Sequence, residues 1–460
     1  MNFAAMVDRQ RAFFQTGATR GLEFRREQLR ILSNALARHE SRLLTALHAD
    51  LRKSPFQACA SEFAPLQAEI RGALKNLFRW AAPVRRRTPW LVAPAHGWVQ
   101  PEPFGVALIL GPWNYPLQLL LAPTVSAIAA GNCAILKPSE LAPHTAAALV
   151  ALVRETFAEH YISAIPGGAD VAEALLREHF DKIFFTGSAP IGRAVMAAAA
   201  RHLTPLTLEL GGKCPAIVCA DADVAQAARR IAWGKFLNAG QTCVAPDFVL
   251  VQRKLREALV TALKKSLREF YGENASLSPD YGRIVNAHHF QRLVRYLRDG
   301  KIRHGGEYDA NDLFLAPTIL TDVATGSPAL QEEIFGPILP VVAFENLDEA
   351  LAMLREKPSP LALYIFTRDR AVETRVQAEI PSGGVCVNDV ISQMLGTGLP
   401  FGGLGESGFG AYHGRTGFEA FGHRRAILRR ATWLDLPFRY PPQKLSLAAL
   451  KRTLRFLLGD

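Results

Sequence analysis

Apolar and polar residues along the chain follow two different periods. Over residues 2 to about 50 the apolar side chains recur every three or four positions, as at Leu29, Leu32 and Leu36, which predicts helices. A second helical pattern covers about 62–80. The segment 81–103 differs, because it holds five prolines, a triple arginine and scattered apolar residues. We expect this segment to be an extended arm or linker.

From residue 104 a new pattern repeats, in which a short apolar run ends at a polar or glycine turn and a helical stretch follows. The apolar runs are 106–110, 133–136, 182–185 and 206–210, and the helical stretches are 119–130, 143–160 and 190–202. This alternation predicts an α/β fold with a parallel, doubly wound sheet and helices on both faces. Ligands bind at the carboxyl ends of such strands, where each conspicuous polar motif of this region lies.

The second half of the chain, from about residue 212, alternates in the same way. Its predicted strands lie near 216–219, 248–251, 339–344, 363–366 and 384–388, which indicates a second α/β sheet. After residue 410 the chain becomes basic and aromatic, and a tail from residue 431 contains Arg439, Tyr440 and two prolines. The tail then predicts an amphipathic helix with Leu447, Leu450, Leu454 and Leu458 on one side. Such a stripe fits either a packing helix or contact with a membrane surface.

Composition and charge exclude several classes of protein. The 460 residues are 49% hydrophobic and 21% charged, an ordinary globular balance, and no apolar run reaches the length of a membrane span. The six cysteines form no CxxC pair and the N-terminus has no signal-peptide pattern, so we expect a reduced, cytoplasmic protein. The formal charge of +11 comes largely from arginine and lysine clusters, which fit solvated faces or attraction to phosphates or anionic lipid. No nucleic-acid motif accompanies them, so nucleic-acid binding is not expected.

One cysteine stands out by its surroundings. Cys243 follows Gly240, Gln241 and Thr242, between a predicted helix that ends near residue 235 and the strand at 248–251. A structural cysteine usually lies inside an apolar run, whereas this loop offers exposed backbone N–H groups. The loop therefore makes Cys243 a candidate nucleophile, and a local donor is needed to favour its thiolate, since a free thiol has a pKa of about 8.5.

Two further side chains suit the chemistry of an acyl group on that sulfur. Glu209 lies in an apolar strand just before a Gly-Gly break, where burial raises the pKa of a carboxyl group and makes it a better general base near neutral pH. A salt bridge with Lys213 is the alternative reading. Asn114 lies in a stiff loop with prolines on both sides, so its amide can donate to an oxyanion, or it can satisfy the backbone of the turn.

Other strand ends suit a dinucleotide. The turn 187–192 contains Gly187, Ser188 and Gly192 and leads into a helix that starts near Pro190, where free N–H groups favour phosphate; a plain strand–helix turn fits equally. Its GxxxxG spacing is not the ordinary dinucleotide fingerprint. Lys137 and Glu140 end a neighbouring strand and can bind ribose hydroxyls, or Ser139 and Glu140 can cap a helix.

The turn 332–337 is the last candidate for this site. There Glu333 can take further ribose hydroxyls and Phe335 can pack on a flat ring, or the segment is a surface turn. No cluster of side chains has the spacing of metal ligands, so no metal is expected.

Read together, these stretches resemble the NAD(P)-dependent aldehyde dehydrogenase superfamily. The resemblance covers nearly the whole chain, in the order of the family motifs GPWNYP, LKPSE, FTGS, LELGGK, GQTC, EEIFGP and LPFGGLGESGFG. The stretches VDRQRAFF, GRIVNAHHF, VCVND and GAYHGRTGFEAFGHRR resemble the class 3 branch, which includes fatty, aromatic and coniferyl-type aldehyde dehydrogenases.

The resemblance implies an architecture and a set of roles. It implies a cofactor domain at 1–80 and 98–211, a catalytic domain at 212–410, an oligomerisation arm at 81–97 and 411–430, the tail 431–460, and a homodimer. It assigns Cys243 as nucleophile, Glu209 as general base and Asn114 as oxyanion donor. Cofactor positions match Lys137, Glu140, Gly187, Ser188, Gly192, Glu333 and Phe335.

The expected reaction is the oxidation of an aldehyde to its acid through a thioester on Cys243, with medium- or long-chain or aromatic aldehydes as substrates. The cofactor is NAD, and NADP is left open, because Ala189 and Pro190 stand where the family pattern has a threonine and an acidic or small residue. Two alternatives use the same thiol: a CoA-acylating dehydrogenase, which need not activate water, and an esterase without redox chemistry.

Overall fold

The structure is a computed structural model that describes residues 2–89, 92–395, 398–434, 440–442 and 445–458. Its first sheet has six strands, of which five run parallel and the short edge strand Gly408–Phe409 is antiparallel. In spatial order the strands are Gly408–Phe409, Leu206–Glu209, Lys182–Thr186, Val106–Leu110, Cys133–Lys137 and Ile162–Ala164. The central strands are almost entirely buried, because helices cover both faces of a parallel sheet.

The register of this sheet brings the polar strand ends together. Thr186 lies opposite Glu209, Phe185 lies opposite Leu110, and Leu110 lies opposite Lys137. The carboxyl ends of four adjacent parallel strands therefore share one edge, which is where ligands bind in such sheets.

The second sheet has seven strands and a similar construction. In spatial order they are Lys301–His304, Thr318–Thr321, Ile338–Phe344, Phe248–Gln252, Pro215–Val218, Ala362–Phe366 and Gly384–Val387. Only Lys301–His304 pairs antiparallel with its neighbour. A small hairpin pairs Tyr308–Asp309 with Phe314–Leu315. The core on one face of this sheet is built around Phe248, Leu250, Ile338 and Phe344, all nearly fully buried.

Helices precede and connect these strands. Those of the first half are Phe3–Gln15, Leu22–Leu51, Pro55–Ala58, Ala64–Ala81, Gln118–Ala130, Pro143–Thr156, Ala169–Leu175 and Ala189–Ala200, with a π-helical turn at Cys59–Phe63. Those of the second half are Val224–Phe236, Arg256–Tyr271, Ala287–Tyr296, Pro328–Gln331, Leu347–Arg355, Arg370–Glu379 and Gly414–Ala420. Short 3-10 turns lie at Ala18–Arg20, Leu237–Gly240, Arg253–Leu255, Ala275–Leu277, Ser392–Met394 and Gly405–Ser407.

A separate compact unit is formed by residues 81–101 and 424–460. Most of a three-stranded sheet belongs to this unit. Its strands, in spatial order, are Val84–Arg86, Ala95–Pro103 and Gly422–Arg430. The tail contains the helix Leu447–Leu458, in which Leu447 and Leu450 are exposed. Arg439 and the Leu458 side chain, both named in the sequence analysis, lie outside what the structure describes.

The predicted fold class is confirmed, because two mostly parallel sheets with covering helices are present. Several strands escaped prediction, among them Ile162–Ala164, Lys301–His304 and Thr318–Thr321, which are short. The helix predicted at 143–160 is shorter in the structure, Pro143–Thr156. The segment 81–103, expected to be an extended arm or linker, contains the strands Val84–Arg86 and Ala95–Pro103. All six cysteines are free. Within the described ranges, no helix is long and apolar enough to cross a membrane.

Candidate active site

Cys243 lies in a turn whose backbone is unusual over three consecutive residues. The helix Val224–Phe236 ends, and Asn238, Ala239 and Gly240 then adopt positive φ angles of 54°, 51° and 75°. Gly240 also permits a close approach, because a Cβ there would lie 2.2 Å from the carbonyl oxygen of Gly336. This tight reversal places Cys243 just before the strand Phe248–Gln252.

Side-chain hydrogen bonds fix the same turn. Gln241 donates from Nε2 to the carbonyl oxygens of Asn238 (3.1 Å) and Arg283 (2.9 Å), and its Oε1 accepts from the N–H of Val285 at 3.0 Å. The hydroxyl groups of Thr242 and Tyr115 hydrogen-bond at 2.7 Å. The loop around the sulfur is therefore rigid, as a positioned nucleophile requires.

The Cys243 side chain lines two cavities. The larger, of about 720 Å³, has a mainly apolar wall that includes Tyr115, Leu119, Trp233, Phe270, Tyr271, Ile391, Met394 and Phe401. The smaller, of about 240 Å³, is lined by strand ends and loops, among them Asn114, Gly187, Ser188, Glu209, Glu333 and Phe335. Cys243 therefore belongs to the walls of both cavities.

Asn114 is buried and lines the smaller cavity together with Cys243. Its Nδ2 donates to the carbonyl oxygen of Gln241 at 3.0 Å, so the amide is fixed to the Cys243 turn. Its own carbonyl oxygen accepts from Asn238 Nδ2 at 2.9 Å. One amide hydrogen is thus bound to the backbone of the Cys243 turn, and not to the backbone of the turn that holds Asn114, as the alternative reading supposed.

Glu209 also lines the smaller cavity, and it is buried at the end of its strand. Neither of its carboxyl oxygens has a hydrogen-bond partner among the described residues, and burial raises its pKa well above the ordinary value. The alternative salt bridge does not form, because Lys213 Nζ binds Asp247 at 2.5 Å instead. A buried, uncommitted carboxyl group beside a thiol suits a general base.

The resting thiol is the neutral form. Burial, then the nearby carboxyl groups of Glu333 and Glu209, raise the pKa of Cys243 to about 12, although the N–H groups of Cys243 and Val244 oppose them. The sequence analysis required a donor that favours the thiolate. Among the described residues, the groups that favour the thiolate are the backbone N–H groups of Cys243 and Val244, and burial outweighs them.

The wall of the smaller cavity fits one end of a dinucleotide. Gly187 follows the strand Lys182–Thr186, and the side chain of Ser188 does not cap the helix Ala189–Ala200, which leaves N–H groups for a phosphate. Thr186 Oγ1 is buried without a partner within the described structure. A ligand with phosphate oxygens and hydroxyl groups would satisfy these atoms.

Glu333 lies close against a glycine of the first sheet's edge. A Cβ at Gly211 would come 2.1 Å from Glu333 Oε2, so a larger residue there would displace this carboxyl group. Burial, then Asp247, raise the pKa of Glu333 to about 8, which leaves a hydroxyl-binding group that can donate or accept. Phe335, with a positive φ of 46°, lines the cavity and meets Trp113 edge-on at 5.4 Å.

The remaining predicted cofactor residues lie elsewhere along the strand edge. Lys137 Nζ binds Glu140 Oε2 at 2.6 Å, and Ser139 Oγ accepts from the N–H of Leu141. Gly192 lets its helix pack closely on Leu210, because a Cβ at residue 192 would lie 2.8 Å from the Leu210 side chain. These three predicted residues, Lys137, Glu140 and Gly192, are not among the described residues lining the smaller cavity.

The sequence analysis missed His289 and Arg292, which line the smaller cavity from the helix Ala287–Tyr296. Arg292 Nη2 donates to the carbonyl oxygen of Ile334 at 2.8 Å and so supports the Glu333 turn. Burial, then Arg292, lower the pKa of His289 to about 4, so it is neutral. Polar residues at helical spacing next to the GRIVN stretch were the available signal, but spacing alone does not show that a helix faces a cavity.

The described residues contain no group of three or more histidine, cysteine, aspartate or glutamate side chains that could hold a metal ion.

Comparison with known proteins places this geometry in context. The model of the aldehyde dehydrogenase family matches residues 2–427. The chain is 44% identical to the 4,4'-diaponeurosporen-aldehyde dehydrogenase of Staphylococcus aureus, over 94% of this chain and 95% of that one. It is 45% identical to the dimeric NADP-preferring aldehyde dehydrogenase of Mus musculus, over 96% of this chain and 98% of that one. It is 46% identical to aldehyde dehydrogenase family 3 member A2 of Mus musculus, over 95% of this chain and 90% of that one.

Solved structures of aldehyde dehydrogenases have the same fold as this chain. The substrate-bound AldH of Staphylococcus aureus superposes with a TM-score of 0.96 at 43% identity, covering 98% of this chain and 99% of that one. The NAD+ complex of an aldehyde dehydrogenase from Bacillus cereus gives a TM-score of 0.84 at 26% identity, covering 93% and 88%.

Proposed function

We propose that the oxidation of aldehydes by this protein proceeds through a covalent adduct on Cys243. The chain belongs to the aldehyde dehydrogenase family, and its reaction is the NAD(P)-dependent oxidation of aldehydes to acids. The observation that supports this is the position of Cys243 in the walls of both cavities. Aldehyde in the larger cavity and dinucleotide in the smaller one both reach the sulfur. The pairing of a nucleophile with Asn114 and Glu209 follows the general logic of covalent catalysis.

In the first step the sulfur of Cys243 attacks the carbonyl carbon of the aldehyde and its proton leaves to a nearby base. The Asn114 amide and the N–H of Cys243 hold the developing oxyanion, and removing one such donor costs about 3 kcal/mol in comparable sites. When bound, NAD+ or NADP+ supplies the acceptor for the hydride that leaves the adduct. A thioester on Cys243 remains.

In the second step Glu209 takes a proton from water, which attacks the thioester and releases the carboxylic acid. Its two unpartnered oxygens leave it available for that water. A CoA-acylating enzyme would not need such a base, so Glu209 favours hydrolysis over acyl transfer to CoA. Lys137, Glu140, Gly187, Ser188, Gly192, Glu333 and Phe335 would hold the dinucleotide, with His289 and Arg292 beside them.

The larger cavity suits long or aromatic aldehydes. Most of its wall is apolar, and each methylene group buried there contributes about 0.8 kcal/mol. We also propose NAD as the preferred cofactor, because Glu140 would repel a 2′-phosphate, as the acid of nucleotide folds does.

We also propose the assembly and the domain arrangement that the resemblance to the family implies. The proposal is a homodimer, with the cofactor domain at 1–80 and 98–211, the catalytic domain at 212–410 and an arm of 81–97 and 411–430. A relative whose name includes "dimeric" and the three-stranded sheet support it. Six free cysteines support a cytoplasmic protein, and exposed Leu447 and Leu450 on a basic helix support peripheral membrane contact of the tail 431–460.

The experiment that tests the nucleophile replaces Cys243 with alanine. Cys243→Ala should abolish aldehyde-dependent NADH formation while NAD+ binding persists, because the sulfur is needed for chemistry alone. Cys386→Ala, at another partly buried thiol, is the matched control and should keep wild-type turnover. Turnover by Cys243→Ala at the wild-type rate would reject the assignment.

A further inference from the structure

A fully buried ion pair lies near the site, and the proposed reaction does not use it. Lys53 and Glu62 are both 0% exposed, and Lys53 Nζ lies 2.5 Å from Glu62 Oε1. Neither belongs to the described lining of the two cavities, so neither touches aldehyde or dinucleotide there. Burying two charges is costly, and such a pair is weak evidence for stability by itself. Its other contacts show what it holds in place.

Those contacts converge on the loop that carries Asn114. Lys53 Nζ donates to the carbonyl oxygen of Asn114 at 2.8 Å and lies 4.0 Å from the centre of the Tyr115 ring. Glu62 Oε2 accepts from the N–H groups of Leu117 (3.0 Å) and Gln118 (3.1 Å). These N–H groups begin the helix Gln118–Ala130, which has no side-chain cap of its own, so the carboxylate takes the place of a capping residue.

The opposite side of the loop is bound to the Cys243 turn. The same Asn114 carbonyl oxygen accepts from Asn238 Nδ2, and the Asn114 amide donates to Gln241. Asn114 is thus held between the ion pair on one side and the nucleophile's turn on the other.

The carboxylate reaches this place from an irregular element. Glu62 lies in the π-helical turn Cys59–Phe63, and such turns are frequent at functional sites. One added residue rotates the following side chains by roughly 100° about the helix axis. Neighbours of Glu62 on this segment, Gln57, Ala60, Ser61 and Pro65, line the larger cavity, while Glu62 itself points away to the Asn114 loop.

We propose that Lys53 and Glu62 are positioning residues that fix the Asn114 amide where the oxyanion forms on the adduct of Cys243. The inference rests on the proposed function only in that Asn114 is the oxyanion donor. The pair acts through the loop backbone and has no direct contact with the reacting atoms.

The test compares two reactions of Cys243 that need no dinucleotide. With p-nitrophenyl acetate, a bond forms between sulfur and the acyl carbon, the thiol proton is lost, and p-nitrophenolate leaves after an oxyanion has formed. With iodoacetamide, a bond forms between sulfur and the CH2 carbon, the same proton is lost and iodide leaves, with no oxyanion. Only the first reaction needs a correctly placed Asn114.

The variants are Lys53→Met and the double change Lys53→Met with Glu62→Gln, which avoids leaving a buried carboxylate unpaired. Ester acylation should slow about tenfold to a hundredfold, the effect of a displacement of the order of 1 Å at a catalytic group, while alkylation keeps the wild-type rate. Asn114→Ala is the reference for complete loss of the donor, with acylation slowed by about 10²- to 10³-fold.

Lys182→Met is the matched control, because Lys182 is also buried but hydrogen-bonds only Thr207 among the partners described for it, at 2.7 Å. It should leave both reactions unchanged. Wild-type acylation in the double variant, or an equal loss in acylation and alkylation, would overturn the positioning role. Either result would leave the thioester route intact, since Cys243→Ala tests that route separately.

Discussion

At the scale of single residues, burial and the carboxyl groups around Cys243, the proposed nucleophile, set the protonation state of its thiol. The pKa of the thiol is raised to about 12, first by burial and then by Glu333 and Glu209. The pKa values of those two carboxyl groups are also raised, mainly by burial. The neutral thiol protects the resting enzyme from oxidation and alkylation, and thiolate has to be generated when substrates are present.

This state predicts a pH dependence for the protein without dinucleotide. Because the thiol pKa lies well above neutrality, alkylation of Cys243 by iodoacetamide should rise about tenfold per pH unit between about pH 7 and pH 9. Mass spectrometry of the Cys243 peptide measures the rate. In Glu333→Gln the reaction should be faster than in wild type above about pH 8, because a charge that opposes the thiolate is gone. A plateau that begins near neutral pH would contradict the raised pKa.

At the scale of elements, the turn between the helix Val224–Phe236 and the strand Phe248–Gln252 sets the position of the nucleophile. Three consecutive residues with positive φ are costly, because only glycine and, to a lesser degree, asparagine adopt that region readily. Ala239 occupies it without either advantage. The hydrogen bonds of Gln241 offset the cost, and the strain is held beside Cys243.

The glycine of this turn offers a direct test of that geometry. Gly240→Ala should destabilise the fold by about 3 kcal/mol, because a strained φ adds to a collision with the backbone oxygen of Gly336. Gly17→Ala is the control, with a φ of 80° but no closer neighbour than Arg20 Cδ at 4.0 Å, and should cost about 1 kcal/mol. Urea unfolding midpoints measure the difference. Equal midpoints for the two variants would show that the close approach does not matter.

The elements also show what the sequence could predict. Long apolar runs gave the central strands, and Val106–Leu110 matches its prediction at both ends, because burial on both faces leaves a continuous apolar signal. The edge strand Lys301–His304 carries no such signal, since its residues are partly exposed. The role of the Lys53–Glu62 pair could not be predicted from the sequence, because the two residues contact a loop more than fifty positions away along the chain. Motif order named the candidate residues, but only the folded chain shows which cavity each one faces.

At the scale of the whole molecule, Cys243 lines two cavities, and in the proposed function these would separate the apolar part of the substrate from the redox chemistry. Within the described residues the larger cavity has aromatic walls contributed by the helices Arg256–Tyr271 and Val224–Phe236 and by the loop at Phe401. In the proposed function, an apolar tail would gain affinity there without reaching the dinucleotide side.

This arrangement predicts a dependence on chain length. From propanal to octanal kcat/KM should rise by up to about fourfold per added methylene, the equivalent of about 0.8 kcal/mol of burial each. Met394→Trp, which fills the larger cavity, should remove most of the gain for octanal and leave propanal nearly unaffected. Steady-state NADH formation with a series of unbranched aldehydes measures both. A flat series in the wild type would show that the apolar cavity does not bind the aldehyde tail.

The central claim, a thioester on Cys243 that Glu209 hydrolyses, is tested most directly by trapping it. Glu209→Gln is mixed with octanal and NAD+, quenched in acid and digested, and the Cys243 peptide is weighed by mass spectrometry. The account predicts a burst of roughly one NADH per subunit, then slow turnover, and an octanoyl group on Cys243. Undiminished steady-state turnover with an unmodified Cys243, or an acyl group on another residue, would contradict it.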